Sequence, residues 1–333
     1  MKRMAPTANA IEAHGLQKSY GDTHALRGVD LAVPAGSVCG VLGPNGAGKT
    51  TAVRILTTLT RPDAGTAHVA GFDVLAEPTE VRRRIGLAAQ DATVDGLLTG
   101  LQNLVMIGEL CHLPRRVAKR RAGELLEQFS LDDAGDRLAR DYSGGMRRRL
   151  DLAATLVTQP EVMFLDEPTT GLDPRARNEL WGVLDHLVDD QGATLLLTTQ
   201  YLEEADRLAD EIVVVDHGTV IARGDARSLK REVGGDQVEV VPSDPGNLER
   251  VAEILERGAG APAAIDRGAR RVTAPTENGV STVAAIAAQL EESGIAVDDL
   301  GVRQPTLDDV FLTLTGQATA AAEAPREPEE ALR

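Results

Sequence analysis

The chain has 333 residues, of which 42% are hydrophobic and 26% charged, a composition that suits one large globular domain and a smaller one. Its net charge of −16 disfavours a protein that binds nucleic acid or anionic lipid headgroups over its whole surface. Two cysteines, Cys39 and Cys111, are too few for a disulfide framework, which favours a reducing cytoplasm.

The sequence contains no continuous apolar stretch of about 18 residues, and residues 1–10 lack the apolar segment of a signal peptide. We therefore expect no membrane span. A transport function would require another polypeptide to form the pore.

The pattern of elements predicts an α/β fold. Residues 11–33 alternate and turn at glycines, as antiparallel strands do. An apolar run at 38–42 precedes a glycine-rich loop and a helix from Lys49. Helical periodicity then covers about 97–159, and strands return at 162–165, 194–198 and 212–215. Strands separated by helices imply a largely parallel sheet that carries a helical insert.

The composition changes after about residue 230. The remaining pattern predicts the order β-α-β-β-α-β, which is typical of a ferredoxin-like unit. We therefore divide the chain into an N-terminal tail (1–10), a nucleotide-binding domain (11–232, with a helical subdomain at about 91–160), a C-terminal α+β accessory domain (233–316) and a disordered tail (317–333).

The glycine-rich loop matches the phosphate-binding pattern G-x-x-x-x-G-K-[ST]. Its glycines let backbone N–H groups face phosphate oxygens, and the helix that follows offers its positive end to the same anion. Lys49 adds a point charge between the β- and γ-phosphates, and the Thr50 hydroxyl is placed to coordinate Mg²⁺. The nucleotide-binding residues predicted here are Gly43, Pro44, Asn45, Gly46, Ala47, Gly48, Lys49, Thr50 and Thr51.

The strand at 162–165 ends in two carboxylates. Asp166 can hold the metal beside Thr50, and Glu167 can act as general base on an attacking water. Lys49 and Glu167 are therefore predicted catalytic residues, and Thr50 and Asp166 predicted metal-binding ones.

The phosphate-binding loop, the two carboxylates and the stretch described next together make the sequence resemble the ABC ATPases. The stretch Tyr142-Ser143-Gly144-Gly145-Met146 is similar to the family's signature loop, usually L-S-G-G-Q. By this resemblance, Ser143, Gly144 and Gly145 contact ATP bound to a second copy. Tyr20 is similar to the aromatic residue that stacks on adenine, and Gln90 to the glutamine that reaches the metal and the attacking water. The stretch Gly171-Leu172-Asp173 is similar to the family's loop that meets its counterpart across the dimer.

One position departs from the family pattern. Gln200 stands where a histidine usually contacts the γ-phosphate and orients the general base. An amide cannot be protonated near neutral pH but can still donate to phosphate, so we expect hydrolysis to be retained with Glu167 as the main base. The run T-T-Q-Y-L and the C-terminal segment 307–312 also resemble the ATP-binding subunits of daunorubicin and doxorubicin resistance exporters.

The resemblance implies an ATP-binding and ATP-hydrolysing subunit that powers a membrane exporter of an anthracycline-like drug or antibiotic. It would work as a homodimer with two composite ATP sites. It would dock on a separate integral membrane permease, peripheral to the cytoplasmic face of the cell membrane, and would bind no nucleic acid. The alternatives are an ATPase that powers export of a lipid or polysaccharide, an importer subunit, and a non-transport ABC ATPase. The last class usually has two cassettes in one chain or a long coiled-coil insert, and this chain has neither.

Overall fold

The computed structural model describes residues 9–90, 93–233, 236–276, 279–303, 306–307 and 310–311. The chain divides into two compact units, residues 1–225 and 226–333. The boundary that the sequence predicts, between 232 and 233, lies seven residues later. The predicted tail at 317–333 falls outside the described residues, and the first strand already begins at Asn9, two residues before the predicted domain start.

Strands and helices of the first unit alternate along the chain. Its strands are β1 (Asn9–Tyr20), β2 (Thr23–Pro34), β3 (Val38–Leu42), β4 (Ala64–Val69), β5 (Phe72–Asp73), β6 (Ile85–Ala88), β7 (Val162–Asp166), β8 (Thr194–Thr199), β9 (Glu211–Asp216) and β10 (Thr219–Gly224). Its helices are α1 (Lys49–Leu56), α2 (Pro78–Arg84), α3 (Gly100–Leu110), α4 (Arg115–Gln128), α5 (Gly144–Thr155), α6 (Pro174–Gln191) and α7 (Leu202–Leu208).

The centre of this unit is a six-stranded sheet in the order β10-β9-β3-β8-β7-β6. Strands β9, β3, β8, β7 and β6 are parallel, and only β10 runs antiparallel to its neighbour β9. Strands β3, β7 and β8 are buried along their whole length, because both faces of the sheet are covered. The predicted parallel α/β core is confirmed.

Alternate residues of the sheet pack on different layers. Val38, Met163 and Leu165 face the helical block, where Leu104, Leu125, Phe129 and Leu150 are buried. The opposite face, with Val41 and Phe164, packs against α1 and a second sheet in the order β2-β1-β4-β5. The antiparallel strands predicted at 11–33 are β1 and β2, and the helical insert consists of α3, α4 and α5.

The second unit begins with α8 (Ala226–Val233) and continues as β11 (Gln237–Pro242), α9 (Leu248–Ala259), β12 (Ala264–Asp266), β13 (Arg271–Pro275), α10 (Gly279–Glu292) and β14 (Val297–Arg303). Its antiparallel sheet has the order β12-β13-β11-β14. Val238 and Val240 on β11 alternate inward and are buried in one core with α9 and α10. The predicted ferredoxin-like order is confirmed.

In the part of the chain that the structure describes, no helix is both long enough and apolar enough to cross a bilayer.

Candidate functional site

The phosphate-binding loop connects β3 to α1. A Cβ atom at Gly43 would lie 2.2 Å from the carbonyl oxygen of Val215, so only glycine fits at the start of the loop. Gly48 has a φ of 107°, which other residues rarely adopt, and ends the loop just before the helix. This backbone directs the loop around the N-terminus of α1, the end of a helix that favours anions.

Lys49 is the first residue of α1 and is only 4% exposed. Its Nζ donates to the carbonyl oxygens of Gly43 at 2.7 Å and Pro44 at 3.1 Å, and lies 3.6 Å from Glu167 Oε1. Burial lowers the pKa of Lys49, and the negative charges of Glu167 and Asp166 counteract that effect. The ammonium group is therefore held between the loop and the two carboxylates.

The remaining residues of the predicted loop take positions around Lys49. Ala47 is buried and its N–H donates to Pro44 O at 3.2 Å, while Gly46 has a φ of 81°. Asn45 is exposed, and Thr50 and Thr51 lie in the first turn of α1.

Asp166 is the last residue of β7 and faces Thr50 across the edge of the sheet. The Thr50 hydroxyl donates to Asp166 Oδ1 at 3.2 Å. A second hydroxyl, from Thr198 on the neighbouring strand β8, donates to the same carboxylate oxygen at 2.5 Å. Because carboxylate and hydroxyl oxygens are ligands that Mg²⁺ accepts, this pair fits the metal site that the sequence predicts.

Glu167 follows directly and has a left-handed backbone, with φ of 48°. Its N–H donates to the Thr198 carbonyl oxygen at 3.1 Å, which holds the turn against β8. Its Oε2 accepts from Gln90 Nε2 at 3.0 Å and from Thr170 Oγ1 at 3.3 Å. The side chain is buried and fixed at both carboxylate oxygens, so a water placed before it would meet an oriented acceptor.

Gln90 reaches Glu167 because it comes two residues after β6, which is hydrogen-bonded to β7. Carboxyl ends of adjacent parallel strands meet at one edge of a sheet, and this edge carries Lys49, Asp166, Glu167 and Gln90 together. Gln200 directly follows β8 on the same edge, and its side chain is half-buried.

The signature residues form a separate cluster. Ser143 is the N-cap of α5, and its Oγ accepts from Met146 N–H at 3.2 Å. Asp173 caps α6 in the same way, through Ala176 N–H at 2.8 Å. Both caps border a cavity of about 510 Å³ that is also lined by Gly144 and Gly145. In the described ranges, no hydrogen bond joins residues 143–146 to the loop at 43–51.

Tyr20 lies at the end of β1 with 49% of its surface exposed. The Lys18 ammonium group stands 5.5 Å from the ring centroid. Stacking of this ring on adenine stays a prediction.

Two buried polar residues at this edge, Thr198 and Arg148, are not among the site residues that the sequence predicts. The sequence predicts Thr198 only as part of a strand, although its hydroxyl donates to Asp166 and orients that carboxylate. Arg148 lies in a run of three arginines, a pattern typical of a solvated or paired helix face. Its side chain is only 11% exposed and donates to the backbone carbonyl groups of Asp166, Glu167 and Pro168. The sequence signal for this burial is Asp151, a carboxylate one turn later on the same helix that can pair with Arg148.

Glu204 is a third buried polar residue for which the sequence predicts no role. It lies on α7, is fully buried and accepts from Trp181 Nε1 at 3.2 Å. Burial raises the pKa of its carboxyl group, although the hydrogen bond from Trp181 and the nearby hydroxyl groups of Thr199 and Thr169 lower it in part.

Glu204→Gln is therefore expected to stabilise the chain at neutral and alkaline pH. An acid whose pKa is raised by folding favours the folded state below its ordinary pKa, near 4.5, and that contribution is lost as pH rises through the folded-state pKa. Glutamine does not ionise, so the variant does not lose this stability as the pH rises. Its Tm at pH 8 should exceed that of the wild type by roughly 2–4 °C for each kcal/mol by which its free energy of unfolding is higher.

The measurement is the Tm of both proteins from pH 4.5 to 9, with Glu203→Gln as control because Glu203 is 75% exposed. If the Tm of the wild type and of Glu204→Gln changed with pH in parallel, ionisation of Glu204 would not be what lowers the stability of the wild type.

Comparison with known families gives a match to the ABC transporter model over residues 26–170. A daunorubicin resistance ATP-binding protein of Streptomyces coeruleorubidus is 55% identical over 95% of this chain and 98% of its own. The daunorubicin/doxorubicin resistance ATP-binding protein of Streptomyces peucetius is 49% identical over 92% of each chain. A Nod factor export ATP-binding protein of Ralstonia nicotianae is 38% identical over 92% of this chain and 94% of its own.

Solved structures give the same result over about two thirds of the chain. An ATP-binding cassette of an ABC transporter in its ADP conformation superposes with a TM-score of 0.61 and 26% identity, over 67% of this chain and 93% of its own. A protein from Clostridium perfringens that is part of an ABC transporter complex superposes with a TM-score of 0.62 and 25% identity, over 68% of this chain and 94% of its own.

Proposed function

The chain belongs to the ATP-binding proteins of ABC transporters, in the daunorubicin and doxorubicin resistance group, and we propose that it hydrolyses ATP to power a membrane exporter of an anthracycline-like drug or antibiotic. The observation that carries the proposal is the convergence of Lys49, Asp166, Glu167 and Gln90 at one sheet edge. The two daunorubicin resistance proteins named above, which are identical to this chain at about half of the aligned positions, support the drug class.

In this proposal the ATP phosphates lie in the loop at 43–51, against its backbone N–H groups and the N-terminus of α1. Lys49 exchanges its bonds to the Gly43 and Pro44 carbonyls for the β- and γ-phosphate oxygens. Tyr20 stacks on the adenine ring.

Thr50, Asp166 and Gln90 would hold Mg²⁺, since their oxygens suit that hard cation. Bound there, the ion would neutralise charge on the β- and γ-phosphates.

Glu167 would take a proton from the attacking water. The water oxygen bonds to the γ-phosphorus as the bond to the ADP oxygen breaks, leaving ADP and phosphate. Gln90 holds Glu167 Oε2 in position at 3.0 Å, and the Gln200 amide donates to the γ-phosphate. Lys49 remains near enough to stabilise the charge that develops on the phosphoryl oxygens.

Each chain carries one phosphate loop and one signature segment, so two copies in head-to-tail arrangement would complete two sites. Ser143, Gly144 and Gly145 of one copy would contact the γ-phosphate held by the other, with Asp173 at the contact between the copies. The exposed position of Ser143 and Gly144 at the start of α5 supports this assignment, because a helix N-terminus attracts phosphate.

A separate membrane protein would supply the translocation path, with this chain peripheral to the cytoplasmic face of the cell membrane. The similarity to Nod factor export proteins supports a second candidate, export of a lipid- or polysaccharide-like molecule, with the same ATPase chemistry.

The test is ATPase activity of the chain reconstituted with its membrane partner, with and without drug. We expect an anthracycline to stimulate turnover several-fold and a lipid-linked oligosaccharide to have no effect. The Glu167→Gln protein serves as the background control. Stimulation by the oligosaccharide and not by the drug would favour the second candidate, and an absence of any ATP hydrolysis would contradict both.

A further inference from the structure

The Arg148 guanidinium group donates hydrogen bonds to the backbone of the segment that carries Asp166 and Glu167. Its Nε donates to Pro168 O at 2.8 Å, its Nη1 to Ala89 O at 2.8 Å, and its Nη2 to Asp166 O at 3.3 Å and Glu167 O at 3.4 Å. Ala89 immediately follows β6, and Asp166 is the last residue of β7. One side chain therefore ties together the backbone at the ends of the two strands that present Gln90 and Glu167.

Asp151 extends this contact to the segment after Gln90. It is fully buried, and its Oδ2 lies 3.3 Å from Arg148 Nη1. Its Oδ1 accepts from the backbone N–H of Thr93 at 2.7 Å and from the Thr93 hydroxyl. Gln90 thus lies in the chain between Ala89, which is hydrogen-bonded to Arg148, and Thr93, which is hydrogen-bonded to Asp151 one turn further along α5.

Helix α5 is also the helix that begins at the signature. Ser143 caps it five residues before Arg148, a separation of about 7.5 Å along the axis at 1.5 Å per residue. Any shift of α5 when Ser143 engages the partner's ATP would therefore move the carbonyl groups that Arg148 holds.

We propose that Arg148, paired with Asp151, is a positioning residue that couples the two ATP sites of the dimer. When the signature residues of one chain contact the ATP of one site, Arg148 of that chain adjusts the orientation of its own Glu167 and Gln90, which belong to the other site. This inference rests on the proposed function, because a composite site exists only in the dimer. An arginine is required since its planar fork donates to several acceptors at once, which lysine cannot match.

The two neighbouring arginines make no such contacts. Arg147 donates to the Arg140 carbonyl at 3.3 Å, and Arg149 to the Phe129 carbonyl at 3.2 Å, with Glu179 at 3.7 Å. Arg147→Gln is therefore a matched control on the same helix, with the same change of charge.

The experiment compares Arg148→Gln, the double variant Arg148→Gln/Asp151→Asn, and Arg147→Gln in the full chain with its membrane partner. Arg148→Gln is expected to lower kcat at least tenfold, to leave KM for ATP within about twofold, and to reduce the Hill coefficient for ATP towards one.

The double variant removes the unpaired buried carboxylate, while the amide oxygen that replaces it still accepts from Thr93. It should therefore regain the wild-type Tm but not kcat.

A purely structural role predicts the opposite result. If the double variant regains kcat and cooperativity together with Tm, or if Arg148→Gln keeps both, the proposal is overturned. Should Arg148→Gln alone fail to fold, the neutral double variant decides the matter. A wild-type complex without ATPase activity would instead overturn the proposed function.

Discussion

Glu167→Gln is expected to lower ATP turnover by about 10²–10⁴-fold, the usual contribution of a general base, while ATP binding is retained. Glutamine has the same shape and can still accept from Gln90, but it cannot take a proton from water. The substitution also removes a buried negative charge 3.6 Å from Lys49, beside the γ-phosphate position, so ATP affinity should stay equal or increase.

Turnover is measured as phosphate release and affinity by titration with a fluorescent ATP analogue. Glu203→Gln is the control, because this exposed carboxylate lies only a few residues from Gln200 in the chain. Near-wild-type turnover in Glu167→Gln would mean that another group activates the water.

Gly144→Asp is expected to reduce turnover by about 10²-fold or more, the scale seen when phosphate- or oxyanion-binding N–H donors are lost. Gly144 is exposed in the first turn of α5, and a Cβ atom added there meets no atom within 4 Å. The fold should therefore accept the side chain. A carboxylate at this helix N-terminus would repel the γ-phosphate of the partner's ATP and occupy its place.

The matched control is Gly123→Asp on α4, which is also exposed and has open space at its Cβ position. ATP affinity should be unchanged in both variants, since the chain's own phosphate loop is intact. A parallel loss of ATP affinity in Gly144→Asp would indicate that the signature serves its own chain's nucleotide.

The sequence predicts most of the first unit because local signals there agree with the tertiary structure. The buried strand β3 and the loop that begins at Gly43 are visible as an apolar run and a glycine pattern. The ferredoxin-like unit is visible through strict alternation, as in Val238 and Val240. These features depend on neighbours in the chain, and periodicity therefore finds them.

Other features depend on residues distant in sequence. Strand β6 has four residues directly after a helix that ends in three arginines, too short for a periodic signal. Arg148 sits in a run of charged residues that suggests a solvated face, yet its backbone acceptors lie 18 to 59 residues away along the chain. Glu204 is acidic and buried because α6 supplies Trp181. Such positions are set by packing between elements, which no local pattern records.

The central claim is that two chains complete each ATP site, and the most direct test is the mass of the Glu167→Gln protein by light scattering in ATP. We expect twice the mass of one chain in ATP, and the mass of one chain in ADP or without nucleotide. Adding Gly144→Asp should abolish the dimer while ATP affinity is retained. A Glu167→Gln protein that binds ATP as a single chain, or a double variant that still dimerises, would contradict the claim.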